Sequence, residues 1–375
     1  MRVRLGDYIK EYSVKNKNDE DIPVYSVSNS LGFCKDYFGK EVASKNKTTY
    51  KIVPRGCFAY NPSRINVGSV DWQNEEERVI VSPLYNVFSV SPLLDQQYLL
   101  YYLKSNVSLA RIKAVASGSV RDNLKLSMLY EFPIDLISLE QQYEVVSILN
   151  AVQKIIDLYQ KELSGLDELV RARFVEMFGD LRINDKGWKY YKLDELTELI
   201  TDGEHATPKR TTQGIYLLSA RNVLNHQLSL EDVDFIDCDE FNRISRRIIP
   251  KEGDVLISCS GSIGRCCIVP KNIKFQMVRS IALLRFKSDI NPVFAEYMIT
   301  SDYLQDQINK SKTASSQANL FQGKIKSLKG VVPPLELQNQ FASFVEEIDK
   351  SRSRIQKSLE ASKELFDSLM QEYFG

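Results

Sequence analysis

Two stretches of the chain carry the same helical pattern of apolar positions. In the first, Val145, Leu149, Val152, Ile156, Tyr159, Leu163, Leu166 and Val170 recur in steps of four and three, the spacing of a coiled-coil seam. In the second, Phe341, Val345, Ile348, Arg352, Ile355, Leu359, Ser362, Phe366 and Leu369 repeat it with two polar interruptions. A run of about 38 residues at about 1.5 Å each makes a helix of about 57 Å. One such helix cannot bury its own stripe, so the two are expected to pair. Pro133 and Pro333-Pro334 stand ahead of the two runs, where proline is tolerated.

The two stretches are copies of each other. Leu139-Glu140-x-Gln142 matches Leu335-Glu336-x-Gln338, and Phe178-Gly179 matches Phe374-Gly375, all at an offset of 196 residues. Without a gap, 13 of the 41 positions from 139 to 179 are identical to their counterparts. The offset persists upstream more faintly: Pro54 with Pro250, Ser105 with Ser301, Ile112 with Ile308 and Leu124 with Leu320. Near the start of each block, Ser26-x-x-Asn29 lines up with Ser219-x-x-Asn222 after a small shift. The chain therefore divides into a block (1–138), a long helix (139–180), a second block (181–334) and a second long helix (335–375). If each block meets the helices equivalently, the helices run antiparallel about a pseudo-twofold axis.

The blocks read as α+β. Strand-type runs fall at Tyr50–Val53, Val79–Ser82 and Tyr85–Val90, then at Ile215–Leu218, Asp254–Ser258, Cys266–Val269 and Ile281–Phe286. Each block closes on a helical stretch, Gln97–Lys113 or Val293–Lys310.

The chain's net charge is zero, but it is not evenly spread. Residues 1–138 hold 18 basic and 15 acidic side chains, and 181–334 hold 22 and 18. The helical segments are acidic, with 4 basic against 8 acidic at 139–180 and 5 against 8 at 335–375. Two mildly basic blocks thus alternate with acidic helices, the arrangement expected if the blocks face phosphate, although differences this small also arise by chance.

Loops rich in Asn, Ser, Arg and Lys hold the candidate contacts. In the first block, Phe58-Ala-Tyr60-Asn61-Pro-Ser-Arg64-Ile-Asn66-Val-Gly-Ser69 turns a strand end into a loop. Its counterpart, Gly253-Asp-Val-Leu-Ile-Ser258-Cys-Ser260-Gly-Ser262-Ile-Gly264-Arg265, offers Ser260, Ser262 and Arg265. Thr201-Asp-Gly-Glu-His205-Ala-Thr207-Pro-Lys209-Arg210 and the Ser219–Asn222 segment, with Arg221, complete the second block's set. Such side chains reach base edges and phosphates, and Tyr60 beside Arg64 is placed to stack on a base. Glycine and asparagine also serve as ordinary turn residues, and tyrosine as a core residue.

Catalytic signatures are missing. The chain has no P-loop, no paired restriction-nuclease carboxylates with their lysine, and no G-x-S-x-G elbow. Asn61-Pro62-Ser63-Arg64 has only the first half of an amino-methyltransferase loop. Six cysteines without C-x-x-C spacing and two histidines do not make a zinc site, and the cysteines are expected to be free thiols. No apolar run is long enough to span a membrane and the start has no apolar signal stretch, so a cytoplasmic protein is expected.

Pro334-Leu-Glu-Leu-Gln338, the loop from Phe58 to Ser69, Asp202-Gly-Glu-His-Ala-Thr-Pro-Lys209 and Gly253-Asp-Val-Leu-Ile-Ser258, set on this repeat, resemble the specificity subunits of type I restriction–modification systems along the whole chain. The first helix departs slightly, opening Ser138-Leu-Glu-Gln-Gln142. The resemblance implies two target recognition domains separated by two long antiparallel helices. Each domain would read one half of a bipartite, asymmetric site in double-stranded DNA through Tyr60, Asn61, Arg64, Asn66 and Ser69, or through His205, Thr207, Lys209, Arg221, Ser260, Ser262 and Arg265. The helices, with Val145, Leu149, Val152, Ile156, Leu163, Phe341, Val345, Ile348 and Leu359, would set the spacer and dock two methyltransferase subunits. It implies no catalytic residue and no cofactor in this chain. S-adenosylmethionine, ATP and Mg²⁺ would come with the methyltransferase and restriction (motor-nuclease) partners. A stand-alone enzyme and a protein-binding coiled-coil scaffold are the other readings, opposed by the missing catalytic motifs and by the loops.

Overall fold

In a computed structural model the chain folds as two units, Met1–Lys161 with Gln356–Gly375, and Glu162–Ile355. Residues 1–35, 47–116, 123–311 and 319–375 are described. Both long helices form, Leu139–Phe178 and Leu335–Phe374, each 40 residues long, and each unit owns part of both. In the first unit the start of one helix (Val145, Leu149) shares a core with the end of the other (Met370, Phe374). In the second unit Phe174 and Phe178 meet Phe341 and Val345. The pair is therefore antiparallel, and Met1 and Gly375 fall in the same unit.

The expected seam is the buried one. Val145, Leu149, Val152, Ile156, Phe341, Val345 and Leu359 are buried, and Leu163 and Ile348 are half-buried. The polar interruption at Arg352 is filled across the pair, where its guanidinium Nη1 donates to Asp167 Oδ1 at 2.6 Å. An ion pair at a seam position fixes which residues face each other, because a slip would strand both charges.

Each unit is built on a sheet of four antiparallel strands in the same order. In the first it runs Ile9–Glu11, Asn86–Val90, Phe58–Tyr60, Val70–Trp72, and in the second Thr197–Asp202, Ile281–Phe286, Val255–Ser258, Cys266–Ile268. The register repeats too: Phe58 lies opposite Phe88 and Trp72, as Val255 lies opposite Leu284 and Ile268.

The structure differs from the sequence expectation in two places. The closing helices are broken in two, Gln96–Lys104 then Asn106–Ala116, and Pro292–Thr300 then Asp302–Ser311. At each break a serine adopts extended backbone, and its hydroxyl donates back to the last turn, Ser105 to Tyr102 O at 2.8 Å and Ser301 to Met298 O at 2.6 Å. Pro133 does not adjoin the first long helix: Pro133–Asp135 is a strand paired with Arg2–Arg4. The place of Pro334 is taken by Ser138, whose hydroxyl accepts from Gln141 N at 3.3 Å. No helix among the described residues is long and apolar enough to cross a membrane.

The repeated glutamines explain how each helix is seated. Gln142 is fully buried; its Oε1 accepts from Asp95 N at 2.8 Å, and its Nε2 donates to Leu93 O at 3.1 Å and Ile137 O at 2.9 Å. Gln338, also fully buried, accepts from Asn291 N at 2.8 Å and donates to Asp289 O at 3.3 Å and Pro333 O at 2.8 Å. Asp95 and Asn291 are the N-caps of the closing helices, so one side chain joins the long helix to the cap of the helix beneath it. The far ends dock with aromatic rings, Phe374 on Tyr98 at 5.1 Å and Phe178 on Phe294 at 4.8 Å. Gly179 follows with φ +77°, and a Cβ there would lie 2.0 Å from Asp185 Oδ1, so the stop requires glycine. Gln142→Ala and Gln338→Ala each strand one buried N–H and two carbonyls and are expected to cost roughly 2–4 kcal/mol in urea denaturation. Losses below about 0.5 kcal/mol would contradict the seating role.

Candidate nucleic-acid interface

In the first unit, strands Phe58–Tyr60 and Val70–Trp72 are joined by the loop that the sequence singles out. Asn61 shapes its start: Oδ1 accepts from Ser63 N at 3.1 Å and Ser63 Oγ at 2.9 Å. Ile65 is fully buried and anchors the middle of the loop. Its neighbours Arg64 and Asn66 are exposed and half-buried. Asn61, Arg64, Asn66 and Ser69 line one cleft of about 440 Å³, together with Ser26 and Asn29. Among the described residues the Arg64 side chain has no hydrogen-bond or carboxylate partner.

One candidate in this loop is corrected. Tyr60 is fully buried, its hydroxyl donates to Leu124 O at 3.1 Å, and burial pushes its phenol up. It is a core residue whose ring lies edge-on to Phe88, so it has no free face for a base. Ser69 is 4% exposed but is part of the cleft lining.

In the second unit a larger cleft, about 780 Å³, gathers segments far apart in sequence: His205, Ser260, Gly261, Arg279, Asn319 and Phe321 line it. Gly203 makes this possible. A Cβ at Gly203 would lie 2.4 Å from Met277 O and 2.5 Å from Val278 O, so only glycine lets the two backbones touch. Glu204 N then donates to Met277 O at 2.9 Å, and Arg279 N donates to Glu204 O at 3.0 Å. The loop carrying His205 is thereby tied to the turn carrying Arg279.

His205 is aimed by a carboxylate. Its Nε2 lies 2.7 Å from Asp202 Oδ2, while Arg247 Nη2 donates to Asp202 Oδ1 at 2.7 Å. Burial pushes Asp202 up, but the bonds from Arg247 and His205 outweigh it and hold the carboxyl below its usual range. An ionised carboxylate only accepts, so Nε2 carries the proton and Nδ1 is left for a ligand. Cys259 is also in the cleft wall, but burial pushes its thiol up to about 12, so it is not a nucleophile at neutral pH.

The other candidates divide. Ser260 is half-buried in the cleft and Ser262 is exposed, its carbonyl accepting from Ser258 Oγ at 2.6 Å. Arg265 is half-buried and held by its backbone, with N donating to Ser258 Oγ at 3.0 Å. Thr207 and Lys209 are exposed on the His205 loop, where Lys209 N donates to Glu240 Oε1 at 3.1 Å. Arg221 is exposed, and its guanidinium pairs within the unit with Asp232 at 3.5 Å and Asp234 at 3.2 Å.

Comparison with known proteins shows the family of the chain that carries these clefts. The model of the type I restriction modification DNA specificity domain matches residues 4–168 and again 185–362, most of the chain and once per repeat. The chain belongs to that specificity family. A specificity-subunit relative, that of the type I restriction enzyme MjaVIII of Methanocaldococcus jannaschii, is 22% identical over 98% of this chain and 91% of its own. Two solved structures share the fold at 14% identity, each covering 100% of this chain. One is a chain described in work on complex assembly and conformational transition of the type I R-M system (TM-score 0.59, 97% of that chain). The other is the type I restriction–modification S subunit of M. genitalium (TM-score 0.56, 96% of that chain).

For a specificity-family chain, the residues that the sequence reading missed are informative. Arg279, Asn319 and Phe321 enter the second cleft from segments with no loop signature of their own, and contacts between distant segments, the Met277–Gly203 approach among them, hold Arg279 there. Two variants separate core from contact. Tyr60→Ala is expected to cost about 3–5 kcal/mol in chemical denaturation. Arg64→Ala should leave stability within about 0.5 kcal/mol while weakening DNA binding by the assembled complex. The reverse pattern would contradict both assignments.

Proposed function

We propose that this chain is the non-catalytic, sequence-reading subunit of a DNA adenine methyltransferase and restriction complex, in which each unit reads one half of a bipartite, asymmetric site. The observation that carries this reading is one frame bearing two different surfaces. Sheet order, strand register and the glutamine seat are the same in both units, while one cleft presents Arg64 and Asn66 and the other His205 and Arg279. Equivalent scaffolds with unlike readers are suited to two unlike half-sites, and direct readout in the major groove depends on such loop side chains.

In this reading the paired helices set the spacer and dock two methyltransferase subunits. Docking is supported by an apolar stripe flanking the seam, where Ile148, Ile155 and Leu158 are 43%, 44% and 56% exposed. S-adenosylmethionine, ATP and Mg²⁺ belong to the methyltransferase and restriction partners.

The experiment is base-resolution mapping of N6-methyladenine in cells with and without this gene. Loss of one interrupted, two-part motif on deletion is expected; an unchanged set of methylated motifs would overturn the reading. In the same assay, one heptad added to each helix at matching places keeps the seam in register. It adds about 10.5 Å of helix, equal to roughly 3 base pairs at about 3.4 Å each, so a longer spacer is expected. An unchanged spacer at full activity would mean that the helices hold partners without measuring DNA.

A further inference from the structure

The arginines of the second unit's block are mostly spent on carboxylates. Arg210 bonds Asp234, Arg221 bonds Asp232 and Asp234, Arg243 bonds Glu240, Arg247 bonds Asp202, and Arg285 bonds Asp254. Arg279 differs. It is exposed, it lines the large cleft, and among the described residues its guanidinium has no partner. The two acids of the facing loop are engaged elsewhere, Asp202 by Arg247 and His205, and Glu204 by Ala206 N at 2.9 Å and Arg243 at 3.7 Å.

Its base is rigid. Arg279 N donates to Glu204 O at 3.0 Å, Val278 N donates to Leu218 O at 3.0 Å, and Cys259 N donates to Ser280 O at 2.8 Å. The backbone on both sides of Arg279 is therefore pinned to neighbouring segments. A planar five-donor fork on a fixed base is suited to a bidentate acceptor pair, and the O6/N7 edge of guanine in the major groove is such a pair. The surroundings favour a base over a phosphate. Ser260 and Asn319 offer further polar groups, and Phe321, 59% exposed, offers an apolar face at the cleft wall.

We propose that Arg279 is the guanine-reading residue of the second unit, with His205 and Phe321 framing the same base step. This rests on the sequence-reading role proposed above and assigns one position of one half-site.

The test maps the methylated motif made by the complete complex carrying Arg279→Ala, Arg279→Lys or, as a control, Arg210→Ala. Arg279→Ala is expected to turn one guanine of one half-site degenerate, with the other half unchanged and binding to the original site reduced about 5- to 150-fold. Arg279→Lys keeps the charge but loses the fork, so the same position should stay degenerate even if overall affinity recovers. Arg210→Ala should keep the wild-type motif. A uniform loss at all sites that lysine restores would make Arg279 a phosphate contact and overturn the proposal. So would an unchanged motif, or degeneracy in the half-site assigned to the first unit by block exchange. If the wild-type complex itself gives no two-part motif that depends on this gene, the sequence-reading role fails first and takes this assignment with it.

Discussion

A fully buried glutamine amide has one acceptor and two donors to satisfy, and no water to satisfy them. Gln142 meets that demand with Asp95 N, Leu93 O and Ile137 O, and Gln338 meets it with Asn291 N, Asp289 O and Pro333 O. Breaking either set leaves buried polar groups stranded, so the geometry is close to all-or-none. Because Asp95 and Asn291 also cap the closing helices, the glutamine sets where a long helix starts relative to the block it leaves. The sheet and the cleft loops are built on that block. The aromatic ends at Phe374 and Phe178 use the same closing helices from the other side of the repeat.

On this frame, the candidate contact surfaces differ in which charges remain unpaired within the unit. A net charge of zero and a small excess of basic residues in each block say little about where DNA would lie. In the second unit, acidic residues between 202 and 254 absorb most of the nearby arginines. Among the described residues, the arginines without a carboxylate partner include Arg265 and Arg279, and of these Arg279 lines the large cleft. In the first unit Arg64 lines the cleft with no carboxylate partner among the described residues. Pairing within a unit therefore acts as a filter on candidate contacts that composition cannot apply.

Much of the architecture was legible in the sequence because it depends on period. The seam from Val145 to Val170 and its copy from Phe341 gave the helices, their pairing and their direction, and the 196-residue offset gave the doubled block. The loops at Asn61–Ser69 and Ser258–Arg265 were legible because turn chemistry is local. The remainder depends on contacts between distant segments. The helix breaks at Ser105 and Ser301 come from a hydroxyl choosing its own last turn over the solvent. Tyr60 reads like a stacking residue beside Arg64, yet alternation along its strand does not reveal that both faces of the sheet are covered. The ion pairs of Arg221 with Asp232 and Asp234, and the arrival of Arg279 beside His205, follow from pairings of strands and loops that no window of sequence contains.

In the proposed function each block is a complete reader, seated on the helices by its own glutamine and independent of the other. Exchanging residues 1–138 for the equivalent block of a relative with a different half-site, keeping Gln142 and both helices, tests it directly. Mapping of methylated adenines should then show one half of the motif replaced, the other half intact and the spacer unchanged. A motif altered in both halves would contradict the claim, because the two surfaces would then be reading the DNA jointly.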